Sequence, residues 1–181
     1  MDMKNTRSRW PLYLILLLTV ASVSRAHDEA PAGVTTVVIV RHAEKADASR
    51  DTVLSDAGKA RAEALASALE SAGVGAVYAT QFQRTRLTAE PLARRLNLSV
   101  VERPVGDDVP AYARDLARDV LAKEKGKTVL IVGHSNTVPE LVKAFSGSTV
   151  APLAEGDFDR IFVIVAPASG PARLFKTRYG S

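Results

Sequence analysis

The sequence predicts an α/β fold, a three-layer α/β/α sandwich with a mostly parallel central sheet. Residues 34–40 and 128–132 are almost unbroken runs of β-branched and aliphatic residues, typical of strands that are covered on both faces. Segments whose apolar residues recur at helical spacing alternate with the strands, and the connections between them are short. This alternation is typical of parallel strands joined by crossover helices.

The other elements can be placed in order along the chain. Predicted helices cover residues 56–72, 82–96 and 109–125 and a segment after residue 136, and further strands cover residues 76–79, 98–101, 160–166 and 172–178. Ser55 is the expected cap of the first helix and Gly73 its stop, whereas Pro91 should kink or split the second helix. The last two strands flank Ser169-Gly170-Pro171 and should pair antiparallel.

The composition limits the chemistry that this chain can perform. Its 181 residues, 46% of them hydrophobic and 24% charged, suit one compact domain with an appendage. The absence of cysteine excludes disulfides, thiol nucleophiles and cysteine zinc sites, so histidines, hydroxyls, carboxylates and cations remain. The net charge of +4 does not favour a nucleic-acid partner, because residues 27–181 hold 20 basic and 19 acidic residues.

Residues 1–26 have the order of a secretory signal peptide. A basic stretch with Lys4, Arg7 and Arg9 precedes an apolar run over residues 10–20, which is shorter than a membrane-spanning helix. Small residues follow, so we expect cleavage after Ala26, with an uncleaved anchor as the alternative. We therefore expect a periplasmic or secreted protein that contacts the membrane only transiently, through this segment. Residues 27–33 would be a linker and residues 34–181 the folded domain.

Rare residues follow the predicted strands at the edge where ligands bind. His42 comes after the strand at residues 34–40 and His134 after the strand at residues 128–132. Arg41 adjoins His42, and Arg84 lies just past the strand at residues 76–79. Arginine matches phosphate oxygens bidentately and stays charged, and the amides that open the helix after His134 add partial positive charge. A neutral imidazole can attack phosphorus to form a phosphohistidine. These residues predict a site for a phosphoryl group.

Four short motifs carry a family resemblance. Arg41-His42-Ala43-Glu44 resembles the Arg-His-Gly-Glu signature of the histidine phosphatase superfamily, in its phosphoglycerate-mutase-like branch. The further pieces are Leu54-Ser55-x-x-Gly58, Thr80-x-x-x-Arg84-x-x-x-Thr88-Ala89 and Gly133-His134-Ser135, in family order across about residues 34–165. The resemblance implies that His42 is the nucleophile, that Arg41, Arg84, His134 and Ser135 bind the phosphoryl group, and that no metal or cofactor is needed.

The sequence departs from the family pattern in two respects. Ala43 replaces the usual glycine and adds a methyl group next to the nucleophile. No clear motif fixes the carboxylic acid that protonates the leaving group, which in the family usually follows the third strand. Asp108 is our first candidate and Asp107 the second, while Glu102 lies nearer the strand.

These observations predict an exported, metal-independent phosphomonoesterase acting on a small-molecule or envelope phosphoester. The chain is shorter than the mutases it resembles, so we expect an open pocket, which favours hydrolysis over retention of an intermediate. A metal site is disfavoured because Arg41 and Arg84 would repel a cation. A serine-hydrolase elbow at Ser135 is excluded because no histidine follows residue 134. A non-catalytic phosphate-binding or interaction module and a phosphohistidine-protein phosphatase remain as alternatives.

Overall fold

A computed structural model describes residues 33–180 of the chain. Six strands and four helices follow in the order β1 (Val34–Arg41), α1 (Asp56–Leu69), β2 (Val74–Ala79), α2 (Gln83–Arg95), β3 (Val100–Glu102), α3 (Val109–Lys123), β4 (Thr128–Gly133), α4 (Thr137–Ser146), β5 (Arg160–Pro167) and β6 (Arg173–Arg178). The predicted signal peptide and all of the predicted linker except Gly33 lie outside the described residues. Within residues 33–180, no helix has both the length and the apolar character that crossing a membrane requires.

The strands form one sheet in the order β3-β2-β4-β1-β5-β6. The first four strands pair parallel to one another, whereas β5 is antiparallel to β1 and β6 is antiparallel to β5. The predicted α/β class with a mostly parallel central sheet is confirmed, and so is the antiparallel pairing of the last two strands. Strands β1 and β4 are neighbours at the centre, which decides where the functional residues meet.

Helices cover both faces of the sheet, as the unbroken apolar strands predict. Successive residues of a strand point to opposite faces. Val37 and Ile39 of β1 therefore belong to the core cluster that contains buried residues of α3 and α4. Val38 and Val40 belong to the cluster that contains buried residues of α1 and α2. The central strands are thus held from both sides, and their carboxyl ends are fixed in place.

Two helix predictions need correction. Helix α1 ends at Leu69 rather than at residue 72, because the chain leaves the helix through a turn in which the Ala72 amide donates to the Leu69 carbonyl. Gly73 then adopts a φ of 67°. The splitting of the second helix at Pro91 was wrong, since α2 runs continuously through that residue. Proline removes one backbone donor, but Pro91 is buried and lines a cavity with Ala62 and Glu63 of α1, so the packing of α2 against α1 keeps the helix continuous.

Candidate active site

The carboxyl ends of β1 and β4 bring the two histidines together. Arg41 is the last residue of β1, and the His42 amide donates to the carbonyl of Gly133, the last residue of β4, at 2.9 Å. His42 directly follows β1, and His134 directly follows β4. The centroids of the two rings are 5.3 Å apart, with an interplanar angle of 63°. The two histidine side chains therefore meet at one edge of the sheet, as predicted.

Two motif glycines have a steric reason to be glycine. A Cβ on Gly58 would collide with the carbonyl oxygen of Glu44, which is itself bonded by the Ser55 amide at 3.0 Å. A Cβ on Gly133 would lie 2.5 Å from the Thr137 hydroxyl, which accepts the amide of His134 at 2.7 Å. Both glycines therefore allow close approach of the segments that carry the histidines.

The hydrogen bond of His42 defines which of its nitrogens is free. Its Nδ1 lies 2.7 Å from the Ala43 carbonyl oxygen, and because a carbonyl can only accept, Nδ1 must carry a proton. Burial lowers the pKa of His42 to about 4, with Arg84, Arg41 and Lys45 acting in the same direction, so the ring is neutral at pH 7. No group among residues 33–180 forms a hydrogen bond to Nε2. Its lone pair is therefore available to a ligand.

His134 has the opposite tautomer. The hydroxyl of Thr85 donates to the Phe82 carbonyl at 2.8 Å, so the Thr80 hydroxyl donates to Thr85 and accepts from His134 Nε2 at 2.9 Å. The other nitrogen, Nδ1, lies 3.4 Å from Nη2 of Arg84 and accepts from it. Burial, acting together with His42, Arg84 and Arg41, lowers the pKa of His134 to about 3. A bound anion would reverse that effect and allow Nδ1 to become a donor.

The two arginines are held from outside the site by carbonyl oxygens and aromatic rings. Nη1 of Arg41 donates to the carbonyls of Ala154 and Glu155 at 2.7 and 2.8 Å, and its guanidinium lies 4.3 Å from the Phe158 ring centroid. Nη1 of Arg84 donates to the Arg50 carbonyl at 2.8 Å. The Nε atoms of Arg41 and Arg84 are buried and have no partner in the part of the chain that the structure describes. Each guanidinium thus has donors free for an anion.

The side chains enclose an open cavity of about 430 Å³. We call it the histidine cavity; its wall includes His42, the turn at residues 134–137, the cations Arg41, Lys45, Arg50 and Arg84, and the carboxylate Asp107. Ser135 is in this wall, as predicted, together with the first residue of α4. A slightly smaller cavity at the opposite end of the sheet, near Gly33 and Phe145, contains none of these residues. Four cations facing one carboxylate make the histidine cavity suited to an anionic ligand.

The two candidate acids are placed differently. Asp107 lines the histidine cavity, on a segment that Gln81 fixes by a pair of hydrogen bonds to the Val105 backbone, 2.9 and 3.0 Å long. The carboxylate of Asp108 caps α3 by accepting the Ala111 amide at 2.9 Å. This placement favours Asp107 for proton transfer, although Asp108 was our first candidate. Glu102 forms an exposed ion pair with Arg86 and does not line the cavity.

The methyl group of Ala43 does not enter the cavity. Ala43 is fully buried and packs with Leu54, Ala62 and Leu87 in a small satellite cluster. Its amide donates to the hydroxyl of the motif residue Thr88 at 2.9 Å. The departure from the glycine of the family pattern therefore adds apolar packing outside the wall of the histidine cavity.

Sequence reasoning missed several neighbours of the predicted residues. The segment at residues 154–158, whose carbonyls bind Arg41, has no hydrophobic periodicity that could reveal it. Phe82 was also missed; its ring centroid lies 4.5 Å from the guanidinium carbon of Arg84. Lys45 and Arg50 were missed because they stand in an irregular loop. Their closeness in sequence to the Arg41–Glu44 motif was the only signal. Across residues 33–180, no three His, Cys, Asp or Glu side chains are grouped as a metal site would need.

The fold and the cavity define an α/β domain in which two histidines and two arginines line one open cavity at the carboxyl edge of the sheet. Residues 37–105 match the family described as the histidine phosphatase superfamily (branch 1), which confirms the predicted family resemblance. The matched residues hold the first three motifs, and β4 with Gly133 and His134 completes the site beyond them. Among curated protein sequences, none matches the chain significantly.

Solved structures of phosphatases share this fold over most of the chain. A mycobacterial glucosyl-3-phosphoglycerate phosphatase is 17% identical with a TM-score of 0.67, covering 81% of this chain and 100% of that one. The protein histidine phosphatase SixA, complexed with tungstate, is 22% identical with a TM-score of 0.60, covering 79% and 96%. A phosphoserine phosphatase from Entamoeba histolytica is 13% identical with a TM-score of 0.55, covering 81% and 97%. The class of these neighbours is consistent with the predicted phosphoric monoester hydrolase.

Proposed function

We propose that the protein is a metal-independent phosphomonoesterase that works through a phosphohistidine on His42. One observation carries the proposal: Nδ1 of His42 is bonded to a backbone carbonyl while its low pKa keeps the ring neutral, so Nε2 presents a lone pair to a cation-lined cavity. An imidazole held in this tautomer is an activated nucleophile for phosphorus.

The proposed reaction has two displacements. In the first, Nε2 of His42 forms a bond to phosphorus as the ester P–O bond breaks, and the alcohol leaves with a proton from a carboxylic acid. In the second, water attacks phosphorus, the N–P bond breaks, and inorganic phosphate leaves while the same carboxylate takes the proton of the water. Arg41, Arg84 and protonated Nδ1 of His134 would balance the charge on the phosphoryl oxygens.

Turnover of p-nitrophenyl phosphate in the presence of a chelator tests this proposal. We expect hydrolysis by the wild-type protein, loss of hydrolysis in His42→Ala, and an acid-labile, alkali-stable phosphate bond on His42 in rapidly quenched samples. Lys176→Gln, an exposed cation of β6 outside the histidine cavity, is the matched control. Full activity in His42→Ala would contradict the proposal, and binding of tungstate without any turnover would support the non-catalytic binding module instead.

We propose Asp107 as the proton donor, with Asp108 as the alternative. The geometry supports Asp107 because its residue lines the cavity, whereas the Asp108 carboxylate already accepts an amide. Asp107→Asn should slow the hydrolysis of alkyl phosphates more than that of p-nitrophenyl phosphate, whose leaving group needs little protonation. In Asp108→Asn the asparagine can still cap α3, so a larger alkyl effect in this variant than in Asp107→Asn would assign the role to Asp108.

We further propose that the domain acts outside the cytoplasm on a small or envelope phosphoester. The order of the basic and apolar segments in residues 1–26 supports export. Fractionation of cells expressing the full chain, with amino-terminal sequencing, should recover a periplasmic or secreted protein beginning at His27. Envelope phosphoesters and a phosphohistidine protein belong in the same substrate panel, since the fold neighbours include SixA.

A further inference from the structure

The proposed reaction gives no role to two cations of the histidine cavity. It assigns the phosphoryl group to Arg41 and Arg84, but Lys45 and Arg50 also line the cavity. With both imidazoles neutral, the four cations and Asp107 give the lining residues a net charge of +3. Carboxylates outside the lining act on the two clamp arginines: Glu155, Asp157 and Glu44 on Arg41, and Asp51 on Arg84. The two further cations, Lys45 and Arg50, lie on the loop at residues 45–54.

The acidic residues of this loop do not neutralise its cations. Asp47 accepts the Ser49 amide at 2.8 Å, and Asp51 accepts the Gln83 amide at 2.7 Å at the start of α2. The ion pairs within the described residues include neither Lys45 nor Arg50. Asp107, the carboxylate of the cavity wall, is likewise in none of them. Both cations therefore face the cavity with their charge uncompensated at short range.

The loop is fixed in relation to the phosphate clamp. Lys45 pairs with Leu54 in a β-bridge, and the Ala46 amide donates to the Val53 carbonyl at 3.0 Å. The Arg50 carbonyl accepts Nη1 of Arg84 at 2.8 Å, so the backbone that carries one of the two further cations also holds the phosphate-binding arginine. The two charges consequently have a defined position beside the site of phosphoryl transfer.

We propose that Lys45 and Arg50 form a second anion subsite, so that the preferred substrates carry a second acidic group besides the phosphoryl that is transferred. This inference rests on the proposed phosphomonoesterase function and specifies its substrate class. The second group would be a carboxylate or a second phosphate at the far end of the alcohol. It would bind at Lys45 and Arg50 while His42 attacks the ester phosphorus.

Matched esters test the subsite. The phosphate monoesters of 1,3-propanediol and 3-hydroxypropanoate differ only in a neutral or carboxylate end, and 1,3-propanediol bisphosphate supplies a phosphate end. The corresponding five-carbon set covers a longer reach. We expect kcat/KM to be at least tenfold higher for one of the charged esters than for its neutral partner. In Lys45→Gln, Arg50→Gln and the double variant this selectivity ratio should fall towards one, whereas Lys176→Gln should keep the wild-type ratio.

Binding measurements separate the subsite from catalysis. In the His42→Ala protein, calorimetry with the same esters should give at least tenfold tighter binding of the charged ester, and Arg50→Gln in that background should remove the difference. Equal binding of neutral and charged esters at both lengths, or an unchanged preference in the double variant, would overturn the subsite. Absence of wild-type turnover together with a retained binding preference would instead overturn the proposed hydrolysis and leave the subsite in place.

Discussion

The hydroxyl of Thr80 does not contact the substrate in the proposed reaction, but its hydrogen bond to His134 should affect kcat/KM. Thr80 is completely buried and lies between His134 Nε2 and the Thr85 hydroxyl, at 2.9 Å from each. Thr80→Val keeps the shape of the side chain and removes its oxygen. Nε2 then carries a buried proton without an acceptor, which costs about 1–3 kcal/mol of folding free energy. The substitution also removes the hydrogen bond between Thr80 and His134 Nε2 that orients His134 Nδ1 towards Arg84.

The magnitude of the effect on activity follows from the charge on His134. When an anion binds and His134 becomes an imidazolium, the bond to Thr80 is a hydrogen bond to a charged group, worth about 1.5–3 kcal/mol. Its loss should reduce kcat/KM for p-nitrophenyl phosphate about 10- to 150-fold, since about 1.4 kcal/mol corresponds to a factor of ten. Steady-state kinetics at a temperature where the variant is fully folded, checked by circular dichroism, measures this change.

Thr35→Val is the matched control for this prediction. Thr35 is also buried, and its hydroxyl accepts the Gly126 amide at 3.2 Å; it stands near the start of β1, at the end of the sheet opposite the histidines. Its removal should lower the free energy of unfolding by a similar amount, about 1–3 kcal/mol, and leave kcat/KM unchanged. If the two folded variants lose activity equally, or if Thr80→Val keeps full activity, the assigned role of His134 is refuted.

Three further predictions follow from contacts around the site. The free energy of unfolding should fall as the pH drops from 6.5 to 4, because the folded pKa values of His42 and His134, about 4 and about 3, are depressed and the unfolded chain binds more protons. In His134→Gln, the fall in the free energy of unfolding between pH 6.5 and pH 4, measured by urea titration, should be about 3 kcal/mol smaller than in the wild-type protein. Gly58→Ala should lower the free energy of unfolding by about 1–3 kcal/mol through its clash with the Glu44 carbonyl, whereas Gly156→Ala, which meets open space, should change it by less than about 0.5 kcal/mol. Arg41→Lys should reduce kcat/KM about 10²–10³-fold, because an ammonium cannot bond two carbonyls and a phosphoryl oxygen in the same plane; a loss below fivefold in the kinetic assay would contradict that role.

The part of the site that lies at strand ends was predictable from sequence. Periodicity placed two fully buried strands, and the rule that ligands bind at the carboxyl edge of a parallel sheet then brought His42 and His134 together. The part that depends on irregular segments was not. The carbonyls of Ala154 and Glu155 lie more than 110 residues from Arg41 and come from a stretch without a repeating pattern.

The tautomers of the histidines are the other unpredictable feature. They depend on hydrogen bonds to a backbone carbonyl at Ala43 and to a threonine hydroxyl at Thr80, and neither bond leaves a mark on hydrophobic periodicity. The sequence pattern also does not reveal side-chain hydrogen bonds, and for this reason Asp108 was preferred to Asp107 as the candidate proton donor. Both residues follow the third strand, and they are distinguished by the fold: Asp107 lines the histidine cavity, whereas the Asp108 carboxylate accepts the Ala111 amide.

The parts that would perform the chemistry and those that would choose the substrate are attached to this fold in different ways. The histidines and Arg41 are anchored directly to β1 and β4 in the middle of the sheet, whereas Lys45, Arg50 and Asp107 stand on peripheral loops. Substitutions in those loops could therefore change which esters are accepted without changing the residues attached to β1 and β4. The segment at residues 45–54 is the exception, because its backbone also holds Arg84, so any redesign there has to keep the carbonyl of residue 50 where it is.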